Sequence, residues 1–200
     1  MIGFDEVYED LVKEFYANAS FDKHELKCWV RGTMFTVSLD YLAIILRINW
    51  PILGRPPIYD ELFPEIELLK ESLGENLKVS PARTSVSTIN FSSKLKILTM
   101  IMFNNLYPLS NTAYMNLSRA MFLCDLMNDV EIDICHHIFH ILVKTTSRTS
   151  SRNCIPFCSL VMKILRLKGV PLPKDESPVT QPQQINIRTY NASKGHSSLA

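Results

Sequence analysis

Hydrophobic positions recur at helical spacing through most of this chain and alternate with polar ones in a single stretch. Phe4, Tyr8, Leu11 and Phe15 share one helical face, with Asp5, Glu6, Glu9 and Asp10 in the first turns. Carboxylates there favour a helix N-terminus. Asn18–Asp22 reads as the exit. Leu26, Cys28 and Val30 then alternate with Lys27, Trp29 and Arg31; after Gly32, Phe35 and Val37 alternate with Met34 and Thr36. A period of two with a break predicts a small β-hairpin turning near Arg31–Thr33. Two strands alone are marginal, so the hairpin has to pack on helices. Ser38 is placed to cap a helix through Arg47, with Leu42, Ile45 and Leu46 facing inward, and Pro51 ends it.

Gly54–Pro57 is a bend, Glu61–Leu73 a short acidic helix ended by Gly74, and Leu77–Ser87 a loop rich in Ser and Thr. Four further helices are predicted. Ser92 or Ser93 caps the first, which carries Leu95, Leu98, Met102 and Leu106 and closes at Pro108. The second follows Ser110–Thr112, with Leu117, Ala120, Met121 and Cys124 on one face. The third runs from about Glu131 to Lys144 and carries Ile134, Ile138, Ile141 and Leu142, after a connection at Asn128–Glu131 with Asp129 as a cap. The fourth starts near Phe157 or Cys158, carries Leu160, Val161, Ile164 and Leu165, and meets stop signals at Gly169 and Pro171. From Pro171 to Ala200 prolines and polar residues replace periodicity, as in a disordered tail or linker. The expected fold is mainly α: a single helical domain over residues 4–170 with a small β-hairpin near its N-terminal half, followed by the tail at 171–200.

Composition narrows the class. Two hundred residues, 46% of them apolar, make one ordinary domain plus a tail, or at most two very small domains, and can fill a real core. The longest apolar stretch, Leu39–Ile48, is broken by Asp40 and Arg47, so no membrane span is expected. The acidic start lacks the basic and apolar regions of a signal peptide. The expected location is intracellular, in nucleus or cytoplasm, and not secreted. An odd set of cysteines (Cys28, Cys124, Cys135, Cys154, Cys158) fits reduced thiols packed as small hydrophobes.

Three stretches resemble a known family. The first is Leu11–Ser20, LVKEFYANAS; the second is Trp29–Leu46, WVRGTMFTVSLDYLAIIL, where Val30-Arg31-Gly32 leads into a Ser-started helix. The third is Phe103–Val170. It holds in order Asn105-Leu-Tyr-Pro108, Ser118-Arg-Ala120, Ile155-Pro-Phe157 with Ser159-Leu160, and Lys168-Gly-Val170. Their order and spacing resemble the "putative plant transposon protein" domain over most of residues 7–170. Cys158 stands where that pattern has a second proline, and residues 51–75 match little of it. The resemblance implies a plant source, mobile-element ancestry and no catalytic residues to carry over. A first helix so close to Met1 fits a truncated gene model.

Chemistry is sparse. His136 and His140 lie one turn apart and precede Cys154 and Cys158, a donor set that would suit tetrahedral zinc. The spacing departs from the His-His-Cys-Cys zinc module of retroviral-type integrases, which has Cys-x-x-Cys after a longer gap, and helix-packing cysteines with surface or satisfied histidines explain it better. Cys135 adjoins His136, but helix neighbours point about 100° apart, so they form no nucleophile pair. Asp125, Asp129 and Asp133 fit capping better than a two-metal site. Aspartic-protease, reverse-transcriptase, zinc-knuckle and phosphate-loop motifs are missing. No enzyme, cofactor, membrane contact or small-molecule substrate is expected. Charge is asymmetric: residues 1–75 hold 14 acids against 7 bases, and residues 76–200 hold 6 against 14. The basic half offers Lys144, Arg148, Arg152, Lys163, Arg166 and Lys168 to phosphates. The leading expectation is a non-enzymatic transposon-derived interaction or assembly module, with a protein partner or self-association. The alternative is a nucleic-acid-binding module using those six basic residues.

Overall fold

The computed structural model describes residues 6–49, 66–80, 85–106, 113–146, 155–174 and 176–180. In chain order the elements are β1 (Glu6–Val7), α1 (Glu9–Asn18), β2 (Ser20–Asp22), β3 (Glu25–Val30), β4 (Thr33–Val37), α2 (Leu39–Leu46), α3 (Ile66–Leu73), β5 (Ser85–Ser87), α4 (Ser93–Asn105), β6 (Tyr114–Asn116), α5 (Leu117–Met127), α6 (Ile134–Thr146), α7 (Cys158–Leu167) and β7 (Val179–Thr180). They fall in two compact units. Unit one holds residues 6–49, 134–146, 155–174 and 176–180; unit two holds 66–80, 85–106 and 113–133.

In unit one, α1 turns Leu11, Val12, Phe15 and Tyr16 inward, and its first turn carries Glu9 and Asp10. Val30 pairs with Thr33 across a two-residue turn. Arg31 and Gly32 there both have positive φ, 47° and 77°. Such a turn follows the right-handed twist of the strands it joins. The sheet is antiparallel in the order β2-β3-β4. Alternation along β3 puts Leu26, Cys28 and Val30 inside and Lys27 and Trp29 outside. Phe15 stacks on Phe35 with ring centroids 6.4 Å apart, and Phe21 meets Phe139 of α6 edge-on. α1 packs against β3, α6 and α7, while α2 packs against α6.

Helix ends follow local chemistry. The Ser38 hydroxyl accepts from the Tyr41 N–H at 3.2 Å and starts α2. Arg47 ends it in the left-handed region (φ 57°), and the Ile48 N–H donates to the Ala43 carbonyl at 3.0 Å. The same closure ends α7: Gly169 has φ 72°, and Val170 N–H donates to the Leu165 carbonyl.

Unit two is centred on α5, which packs against α3, α4, β5 and β6. Asn116 caps α5 by accepting from the Arg119 N–H at 3.1 Å. Val86 and Met115 pair across β5 and β6 and are both buried. Asp129 is indeed a capping position, but at a helix C-terminus: its φ of 52° lets the Val130 N–H reach the Asp125 carbonyl.

The helical class holds, while the single helical domain with one hairpin needs correction. The described residues form two units and carry a three-stranded sheet and two two-stranded ribbons. β2 adds a strand where the helix exit was expected. The Leu77–Ser87 loop contains β5 and a bridge between Val79 and Val86. α6 starts at Ile134 rather than near Glu131. Strands of two or three residues are too short to show alternation, and they form by pairing with segments remote in sequence. Within the 171–200 segment, Val179 and Thr180 pair with Val7 and Glu6. The expectations for Phe4, Gly54–Pro57, the start near Glu61, Ser110–Thr112, Arg148, Arg152, Cys154 and residues 181–200 lie outside the described residues. Among the described residues no helix is long and apolar enough to cross a membrane.

Candidate functional site

α7, with its C-cap residue Lys168, supplies three of the six basic residues. Its periodicity buries Leu160, Val161, Ile164 and Leu165, which leaves Lys163, Arg166 and Lys168 towards the rim of that face. Each reaches another element of unit one. The Lys163 ammonium donates to the Ile45 carbonyl at 3.0 Å. That carbonyl lies in the last turn of α2, where intrahelical donors run out and a cation is favoured. Arg166 donates to the Glu6 carbonyl at 3.2 Å and pairs with the Glu6 carboxylate at 3.5 Å. Lys168 sits 3.8 Å above the Tyr41 ring centroid, a cation–π geometry. Lys144 occupies the last turn of α6, and Arg148 and Arg152 lie outside the described residues. Three donors that a phosphate could have met thus serve the fold.

Of the described cysteines, Cys28, Cys124 and Cys135 are buried and Cys158 is only partly so. Burial pushes the Cys28 thiol up to about 12, against a downward pull from the Lys168 ammonium. Burial likewise raises Cys124 to about 11, opposed by a hydrogen bond with Ser72. Neither is poised as a thiolate near neutral pH. Cys135 is fully buried, whereas its neighbour His136 is only partly so. The Cys158 thiol donates to the Ile155 carbonyl at 3.3 Å. Among the described residues no three His, Cys, Asp or Glu side chains converge on a metal position.

The feature not anticipated is apolar. Trp29 and Met34 are cross-strand partners on the outward face of β3 and β4. Their exposures are 59% and 79%. The surrounding outward positions are polar: Lys27 pairs with Asp22, and Thr36 lies beside them. The signal was in the alternation itself, because Trp29 and Met34 occupy the phase that a half-buried hairpin turns to water.

Parts of the stretches that carry the family resemblance meet in unit one, whereas Ser118-Arg-Ala120 lies in unit two. The Tyr16 hydroxyl donates to the Pro156 carbonyl, joining LVKEFYANAS to Ile155-Pro-Phe157. Glu14 accepts from the Arg31 backbone N–H at 2.7 Å and pairs with its guanidinium at 3.3 Å, joining the same stretch to Val30-Arg31-Gly32. Lys168 of Lys-Gly-Val covers Tyr41. No curated protein and no solved structure matches the chain. The model of the putative plant retrotransposon-related domain matches residues 3–171, and the chain belongs to that family.

Proposed function

We propose that this domain is a non-enzymatic interaction module that docks a protein partner through the outward face of its three-stranded sheet. The observation that carries the reading is the Trp29–Met34 pair, two large apolar side chains held side by side in water. Aromatic residues and Met are enriched in the buried centres of protein interfaces. The polar rim of Lys27, Asp22 and Thr36 around the pair has the composition expected of such a patch. The alternative, phosphate binding by the basic half, is weakened by the engagement of Lys163, Arg166 and Lys168 within unit one.

Fluorescence anisotropy of the purified chain with labelled single-stranded DNA, duplex DNA and RNA, stepped through salt, separates the two. Phosphate contacts release counterions, so affinity falls linearly with salt on logarithmic axes. The docking reading expects no such dependence. Salt-graded binding, lost on neutralising Lys163, Arg166 and Lys168, would replace it with the nucleic-acid reading.

A further inference from the structure

We infer that β4 is a self-pairing edge: Thr33–Val37 pairs antiparallel with the same strand of a second copy, in the register centred on Phe35. This deepens the docking-module reading and rests on it. Among the described residues the sheet order β2-β3-β4 leaves β4 at an edge. A two-residue turn makes its flanking pair, Val30 and Thr33, hydrogen-bonded. Alternation then directs the N–H and C=O groups of Phe35 and Val37 to β3, and those of Met34 and Thr36 away from it. No hydrogen bond from another described residue reaches those outward groups. Met34 and Thr36 are both exposed.

Natural sheets guard open edges with charge, proline or bulges. Thr33-Met-Phe-Thr-Val37 has none of these. About a two-fold axis both copies of the strand carry the same net charge, so a charged strand repels its copy. Thr33–Val37 carries no charge and avoids that repulsion. Only the register centred on Phe35 sets Met34 opposite Thr36 of the second copy twice over and uses all the outward groups of both residues. It also extends the face that carries Trp29 and Met34 across the axis, with Thr36 of the second copy beside Met34.

The test is register-specific. Directly opposed strand residues stand at Cα separations a disulfide can bridge, whereas Met34 faces Met34 of the second copy only diagonally. Full-length Met34→Cys and Thr36→Cys variants are reduced, then oxidised with a copper–phenanthroline catalyst under air, each variant alone and the two as an equimolar mixture. The mixture is expected to yield a cross-linked heterodimer about tenfold faster than either variant yields a homodimer. Sedimentation of the parent should show a concentration-dependent dimer. Thr36→Pro should shift it to monomer with an unchanged circular dichroism spectrum, because an edge strand tolerates proline where its N–H faces outward. A parent that stays monomeric at every concentration overturns the inference. So does cross-linking with no preference for the mixed pair. Neither outcome touches the docking-module reading, which falls only to salt-graded nucleic-acid binding.

Discussion

The Tyr16 hydroxyl donates a 2.8 Å hydrogen bond to the carbonyl oxygen of Pro156, 140 positions further along the chain. Immediately after that carbonyl, Phe157 is held at φ 54°, a conformation that bulky residues avoid. The bond from α1 thus anchors the entry of α7 at its least favourable backbone position. Tyr16 is buried, so Tyr16→Phe leaves the Pro156 oxygen without this donor in a place water reaches poorly. The expected loss is about 1–2 kcal/mol. A urea titration should show a lower midpoint at an unchanged slope; an unchanged midpoint would show that the bond contributes nothing.

Arg47 and Arg31 both adopt left-handed backbone, but only one is repaid by its side chain. Arg47 is exposed at the end of α2 (φ 57°), and Arg47→Gly should stabilise the protein by about 0.5–1 kcal/mol. Arg31 is tied to Glu14 and Glu176 at 3.3 Å each. Arg31→Gly gains the same backbone relief and loses both contacts, so it should fall below Arg47→Gly on any thermal-melt ranking. The opposite order would mean that the ion pairs carry no net stabilisation.

The buried thiols make stability depend on alkaline pH. Cys28 is pushed up to about 12 and Cys124 to about 11, whereas an unfolded cysteine titrates near about 8.5. As pH rises above that value the unfolded chain releases protons that the native state keeps. The contribution is therefore complete below the unfolded value and is lost progressively towards the folded ones. Denaturation midpoints measured from neutral to alkaline pH should fall, and Cys28→Ala should flatten the fall. Iodoacetamide should label Cys28 and Cys124 only as fast as the protein opens.

Lys163 acts at the end of α2, some distance along the chain from its own helix. Lys163→Met keeps the stem and removes the donor to the Ile45 carbonyl. A charged hydrogen bond of this partly buried kind contributes about 1–2 kcal/mol, discounted for solvent. The variant should melt lower, with faster amide exchange confined first to Ile48 and the last turn of α2. Uniform loss across unit one would assign Lys163 a wider packing role.

Legibility tracked the range of the determining interactions. Ser38 and Ser92 were recognisable as caps because the bond each makes lies within three residues. The Arg31–Gly32 turn was recognisable because alternation broke there. β1 and β7 were not, since Glu6 meets Thr180 and neither two-residue segment carries a pattern of its own. The basic set was visible as charge, but charge along a chain says nothing about which carbonyl or ring each cation meets. Lys168 over Tyr41 depends on where α7 lies against α2.

The residues by themselves determined most of the helices, their caps, the main hairpin and the family, because spacing, capping and turn chemistry are local. Tertiary structure decided which outward positions stay in water and which cations are tied to other elements of the fold. Trp29 and Met34 become a surface feature only when strand register sets them opposite each other on the face turned away from α1. Lys163, Arg166 and Lys168 lose their apparent freedom only when packing brings Ile45, Glu6 and Tyr41 within reach. Burial and electrostatic pairing are sums over neighbours distant in sequence, and only the folded chain specifies those neighbours.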